Sequence, residues 1–218
     1  MSFSDKTIGE VVAADYRTAA VFKRHKIDFC CGGQRKIVDA CQARQVDIEQ
    51  LESEVNAAKA HATVAAGLNF TAWSPDFLAD YIVNQHHSYV LTAIPEISAF
   101  AKKVASVHGE RHPALVEIDK IWQQLSAELL LHLEKEEKEL FPYFKAAEKG
   151  KALPLSALED EHEEAGLAMA QIRELSNDFT LPEDACTTYK VLFRMLEDFE
   201  TDLHLHVHLE NNILFPQA

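Results

Sequence analysis

Apolar residues recur every three or four positions along four long stretches of this chain, the spacing that lines one face of an α-helix. The first carries Val83, His87, Val90, Ile94, Ile97, Ala101 and Val104. The second carries Leu115, Ile118, Trp122, Leu125, Leu129, His132 and Glu136. The third carries Leu155, Leu158, His162, Ala165, Met169 and Ile172, and the fourth Leu192, Leu196, Phe199, Leu203, His206 and Glu210. Punctuation between them predicts the helix ends. Ser74 with Pro75 is a cap followed by a first-turn proline, and that helix is expected to reach Val107. Gly109 and Pro113 mark a turn. The second helix is expected from Pro113 to Ala147, ended by Gly150, and the third from Pro154 to Asn177. The fourth is expected to open at Thr180-Leu181-Pro182-Glu183 and reach Asn212.

The first 60 residues read differently. Thr7 and Glu10 stand in the capping-box relation, and Ala19, Val21 and Phe22 continue an apolar pattern. Gly32 and Gly33 then break it with a tight turn. Helices are expected from Gln34 to Arg44 and from Asp47, as cap, to Ala60. Residues 61–73 read as a linker. The expectation is an all-α chain, in which a small helical domain (1–60) precedes an up-down four-helix bundle (74–218).

In all four stretches a polar residue sits where the apolar stripe reserves a place for the core. Two of them share a phrase, H-x-x-x-E-x-x-x-L-F-P, running from His132 to Pro142 and from His206 to Pro216. A shift of 74 or 75 residues maps His87 onto His162, His132 onto His206 and Glu136 onto Glu210. His and Glu four apart share a helix face. Two repeated hairpins would thus supply His87, His132, Glu136, His162, His206 and Glu210 to one core. Unpartnered ionised groups there would cost several kcal/mol each, and metal ions remove that cost for all six together. Four imidazoles and two carboxylates suit a binuclear site, typically iron, with Glu136 and Glu210 bridging and positions left for water, an oxo or hydroxo bridge, or a small ligand. The ligand types alone also suit zinc or manganese. His86 is kept as an alternate ligand. Tyr89 and Tyr143 could reach toward the site, though the spacing does not require it, His204 and His208 point to other faces, and Glu134, Glu137 and Glu139 read as a solvated charged face.

Composition narrows the partners. A net charge of -14 over 218 residues disfavours nucleic acid and anionic membrane surfaces. No apolar run is long enough to span a bilayer, and Met1-Ser-Phe-Ser-Asp-Lys lacks the basic and apolar regions of a signal peptide. The four cysteines do not form a disulfide framework, so a reducing, cytoplasmic setting is expected. Cys30 and Cys31 fall at the Gly-Gly turn beside Lys26, Arg35 and Lys36, surroundings that favour a thiolate. A redox or transfer role stands there against simple packing. Cys41 and Cys186 are read as structural. Whether the chain pairs as a homodimer is left open.

The His-x-x-x-Glu helices resemble the hemerythrin-like fold. Asp28-Phe29-Cys30-Cys31-Gly32-Gly33, His86-His87, His132-x-x-x-Glu136-Glu137, Glu161-His162-Glu163-Glu164-Ala165-Gly166 and His206-x-x-x-Glu210-Asn211-Asn212-x-Leu214-Phe215-Pro216 together make nearly the whole chain similar to the iron–sulfur cluster repair di-iron proteins, the repair of iron centres family. The resemblance implies two non-haem irons on the six residues named above. It also implies a protein made under nitrosative or oxidative stress that restores damaged iron–sulfur proteins, with iron donation as the mechanism. Two other functions compete: a di-iron nitric oxide reductase, which would draw electrons from a partner, and a carrier or sensor that reversibly binds dioxygen or nitric oxide.

Overall fold

The computed structural model describes residues 2–60, 68–146 and 153–218, and no strand is found among them. The chain divides into two compact units, Met1–Leu78 with His204–Ala218, and Ala79–Leu203.

The first unit is built on short helices. α1 (Ile8–Ala14) starts at the expected capping box: the Glu10 N–H donates to Thr7 Oγ1 at 3.2 Å, and the Thr7 N–H to Glu10 Oε2 at 2.8 Å. α2 is Ala19–Arg24 and α3 is Ile37–Arg44, which ends where Gln45 turns left-handed at φ 55°. α4 (Ile48–Ala60) begins beside Asp47, whose Oδ1 accepts the Gln50 N–H at 2.8 Å. Ile8, Val12, Phe22, Ile37, Leu51 and Val55 are fully or almost fully buried. The chain's last residues complete this unit. The Phe29 ring packs edge-on against His204 and His208, with centroids 5.7 and 6.0 Å away. Asn212 fits so closely against two glycines that a Cβ on Gly9 or Gly33 would lie 2.3 or 2.1 Å from its Oδ1. Only glycine allows that approach.

The second unit is the helical bundle. It contains α6 (Ser88–His108), α7 (Ala114–Lys135), α8 (Phe141–Ala146), α9 (Leu155–Leu175) and α10 (Thr187–Leu209) as far as Leu203. α5 (Pro75–Tyr81) leads into it. The expected seams are its core: Val90, Ile97 and Val104 on α6, Leu115 to Leu129 on α7, Leu158, Met169 and Ile172 on α9, and Leu192, Leu196, Phe199 and Leu203 on α10 are buried. Each large apolar side chain so buried contributes roughly 1.5–3 kcal/mol. Trp122 is fully enclosed, its ring edge-on to Phe199 at 4.8 Å and its indole N–H donating to Ser98 Oγ at 2.9 Å. Arg173 ties α9 to α10 through the carboxylate of Glu200, which is 2% exposed.

Three details depart from the periodicity. Ile82, not Val83, is the buried seam residue ahead of His87, because the helix widens into a π turn over Ile82–His87 and gains one residue of register. Leu155 is only half-buried. The fourth helix starts at Thr187 rather than at Pro182. Residues 182–185 form a turn, the Ala185 N–H donating to Pro182 O at 3.0 Å, and Asp184 pairs with Arg111 at 3.1 Å and His112 at 2.9 Å. The expected ends at Ala147 and Gly150 and linker positions 61–67 lie outside the described residues. Among the described residues no helix is long and apolar enough to cross a membrane.

Candidate metal centre

The repeated phrase has a structural consequence that its letters conceal. In both copies the helix widens into a π turn that starts at the glutamate, Glu136–Leu140 and Glu210–Leu214. The Phe141 N–H reaches Glu136 O, and the Phe215 N–H reaches Glu210 O, five residues back. Each π turn is followed by Phe-Pro. A proline ring clashes with the carbonyl four residues earlier and offers no N–H, so a locally wider turn relieves the crowding. Together with Ile82–His87, these π turns carry His86, His87, Glu136 and Glu210.

In the bundle unit, four of the expected residues come together. His132, Glu136 and His162 place one ligand atom each within 4.8 Å of one another. Glu136 is 0% exposed. Around its carboxylate lie His132 Nε2 at 3.3 Å, His87 Nε2 at 3.4 Å and His162 Nε2 at 3.8 Å, and the Nε2 atoms of His132 and His162 are 2.9 Å apart. In the other unit, His206 Nε2 stands 3.2 Å from Glu210 Oε1, with Glu210 0% and His206 1% exposed.

Carboxylates behind the imidazoles decide how these rings face the centre. Glu137 Oε1 accepts from His87 Nδ1 at 2.8 Å, and Glu161 Oε2 accepts from His132 Nδ1 at 2.7 Å. A neutral histidine that donates from Nδ1 carries its lone pair on Nε2. Nε2 of both rings is therefore turned on a buried carboxylate, and a positive charge among these atoms, a metal ion or a proton shared between the rings, balances the cluster. Carboxylate-backed imidazoles of this kind are a regular feature of metal ligation. The donor set, imidazole and carboxylate without thiolate, fits divalent or trivalent first-row metals.

Glu137 therefore does more than face solvent as part of a charged surface: it orients His87. The sequence assigns no role to Glu161, which stands only as part of the Glu161–Gly166 segment, and does not point to Asp202. Glu161 also takes an ion pair from Lys135, and its carboxyl is held below the usual range by the Lys135 and His132 bonds, against the effect of burial. Asp202 Oδ1 accepts from His86 Nδ1 at 3.0 Å, so His86 has the same backing as His87, yet the ligand atoms that gather around Glu136 include His87 and not His86. The signal for these partners is an acidic residue adjacent to a ligand in the chain (Glu137 after Glu136, Glu161 before His162). It is weak in a chain this rich in acid. Tyr89 packs against Phe199 and Tyr143 against Phe144; burial pushes the Tyr89 hydroxyl up to about 12. His208 is buried under Phe29, and that burial pushes its imidazole down to about 4.

Cys41 is buried, as a structural cysteine should be, while the surroundings of Cys30 and the exposure of Cys186 differ from expectation. Cys30 is buried, its Sγ 4.0 Å from Cys31 Sγ and 3.1 Å from Asp28 Oδ1. The neighbouring thiol, burial and the Asp28 charge push the Cys30 thiol well above its ordinary range, so local anions and desolvation outweigh the cations close in sequence. Cys186 is exposed rather than packed. Its Sγ lies 3.2 Å from His108 Nε2, and backbone N–H groups of Tyr189 and Thr188 lower its pKa.

Residues 78–218, which include all six expected ligands, match the family model of the hemerythrin HHE cation-binding domain. Residues 4–59 match a second model, the ScdA_N domain of unknown function. The iron–sulfur cluster repair protein YtfE of Musicola paradisiaca is 35% identical over 223 residues, an alignment covering 100% of this chain and 98% of that protein. The chain belongs to the hemerythrin-like iron–sulfur cluster repair family. Other members are the YtfE protein of Escherichia coli, 33% identical, and a probable iron–sulfur cluster repair protein of Haemophilus influenzae, 32% identical, each aligned over 100% of this chain and 98% of its own length. The fold follows the family: an all-α hemerythrin HHE domain preceded by a small helical domain. The His/Glu clusters fit the cation-binding domain that the family model describes.

Proposed function

We propose that His87, His132, Glu136, His162, His206 and Glu210 would hold two iron ions, and that the chain gives up iron to rebuild damaged iron–sulfur clusters. The observation that carries the reading is the set of carboxylate-backed imidazoles whose lone pairs face a buried carboxylate, in a chain related end to end to proteins named for cluster repair. All six residues fall within the one HHE match, which supports their acting as one set.

Bound there, iron would supply a Lewis-acidic, redox-active cargo held by nitrogen and oxygen donors, a harder and less covalent set than a thiolate cage gives. The chain's own residues do the rest. Glu137 and Glu161 keep Nδ1 of His87 and His132 as donors, so both rings present lone pairs without having to lose a proton first. Their carboxylates are 42% and 33% exposed, so they connect the buried imidazoles to solvent protons. A proton arriving on a ligand nitrogen would compete with the metal and favour its departure. The expected setting is the cytoplasm, and the expected recipients are iron–sulfur proteins that have lost iron.

Iron delivery tests this. The iron-loaded chain is mixed, without air, with an inactive iron–sulfur hydratase that lacks iron, and both metal content and hydratase activity are followed. Loss of iron from the chain in step with recovered activity is the expected result. Iron that stays bound while the hydratase remains inactive overturns donation and turns attention to nitric oxide chemistry.

A further inference from the structure

The Cys30–Cys31 turn gathers more chemistry than the proposed function uses. Ligand atoms of Asp28, Cys30 and Cys31 all lie within 4.8 Å of one another. The two sulfurs are 4.0 Å apart, and Cys30 Sγ is 3.1 Å from Asp28 Oδ1. Two sulfurs bonded at about 2.3 Å to one tetrahedral ion would stand about 3.8 Å apart. The turn therefore already has nearly the spacing that a single ion needs. We propose that Asp28, Cys30 and Cys31 form a second metal site, a two-thiolate, one-carboxylate cradle for one thiophilic divalent ion.

The cradle is held from both sides. Asp28 Oδ1 accepts the Cys30 N–H at 2.9 Å and Oδ2 accepts the Gly32 N–H at 2.9 Å, which fixes the carboxylate and leaves lone pairs on both oxygens. Behind the turn, Asn212 Nδ2 donates to Cys30 O at 3.0 Å, while Asn212 Oδ1 presses on Gly33. Asn212 lies on the same π turn as Glu210, so the cysteine turn is fastened to the segment that carries one of the six proposed ligands. On the solvent side Asp28 is exposed, Cys31 half-buried and Cys30 buried.

Three protein donors leave a fourth position open. Closed four-ligand sites are structural, and sites with three protein ligands keep a position for water or an incoming ligand. Soft thiolate donors also select differently from the His/Glu set. The site stands on its own residues; only its use, as a relay that hands iron onward, rests on the donation reading.

Cobalt(II), added to the reduced full-length chain, separates the two sites. Thiolate ligation gives a near-ultraviolet charge-transfer band that imidazole and carboxylate ligands cannot give. The proposal expects this band to saturate at one thiolate-bound cobalt per chain, beyond the cobalt taken up by the His/Glu set, and expects its loss in Cys30→Ser/Cys31→Ser. It also expects the band to persist in Cys41→Ser and Cys186→Ser, and to need more cobalt in Asp28→Asn. The double variant should keep its helical circular dichroism and the cobalt spectrum of the His/Glu set. Should it unfold, Cys31→Ser alone decides, with a predicted loss of about half the band, one of two thiolates. A wild-type chain without the band, a band that survives in the double variant, or full intensity in Cys31→Ser overturns the proposal. A negative result here leaves iron delivery untouched, since that experiment reads the recipient.

Discussion

Replacing Glu137 by alanine is the most informative single change at the His/Glu set. Its contact with His87 Nδ1, at 2.8 Å, sets it apart from Glu134, which pairs with Lys138, and from the exposed Glu139. Without the carboxylate, the ring is free to turn or to move its proton to Nε2, which would cap the lone pair that faces Glu136 3.4 Å away. Losing such a partner generally costs roughly ten- to a hundredfold in metal affinity. Glu137 is 42% exposed, so water partly replaces it and screens its charge. The expected loss is therefore at the lower end, about tenfold or about 1.4 kcal/mol. The assay is competition for iron against a chelator of known affinity, with Glu139→Ala as the control because Glu139 is exposed on the same turn. Equal affinities for Glu137→Ala and Glu139→Ala would refute the orienting role and, with it, the lone-pair argument for the centre.

Three further outcomes follow from the same geometry. Gly33→Ala puts a methyl 2.1 Å from Asn212 Oδ1 and should destabilise the first unit by about 1–3 kcal/mol, read as an earlier chemical denaturation midpoint; an unchanged midpoint would deny the close fit. Arg173→Met removes the guanidinium that binds the 2%-exposed Glu200 carboxylate and should cost about 3 kcal/mol, measurable by thermal denaturation. Cys186, with its pKa lowered by the Tyr189 and Thr188 N–H groups, should be alkylated at a lower pH than Cys41, whose pKa is raised by burial and Asp47. Mass spectrometry of partly labelled protein checks the order, and simultaneous labelling would contradict it.

The core was legible wherever a helix is regular. From Leu115 to Glu136 every expected seam position is buried, because an unbroken 3.6-residue period leaves no other face for those side chains. Capping at Thr7 and Asp47 was equally open to reading, since caps are local chemistry. Legibility fails at Val83, where a π turn adds a residue that no periodic count foresees. It fails again at Pro182, where Asp184 is drawn to Arg111 and His112, residues far away in the chain. Glu161 and Asp202 were missed for a related reason. An acid that orients a histidine on another helix has at best the weak signature of sitting beside a ligand in the chain, whereas a His and Glu four apart announce themselves. Around Cys30 the cations are neighbours only in sequence, whereas the Asp28 carboxylate folds back to 3.1 Å from the sulfur, a contact that residue order does not reveal.

The central claim is that six buried residues form one binuclear iron centre, and metal counting tests it most directly. Purified wild-type protein and Glu136→Ala/Glu210→Ala would be reconstituted with ferrous iron side by side, desalted, and assayed for iron per chain, with circular dichroism to establish that both are folded. The account predicts two irons in the wild type and none retained by the folded double variant. Two irons in both, or none in either, would contradict it: the buried histidines and glutamates would then be a polar core, and the chain's part in cluster repair would have to be sought elsewhere.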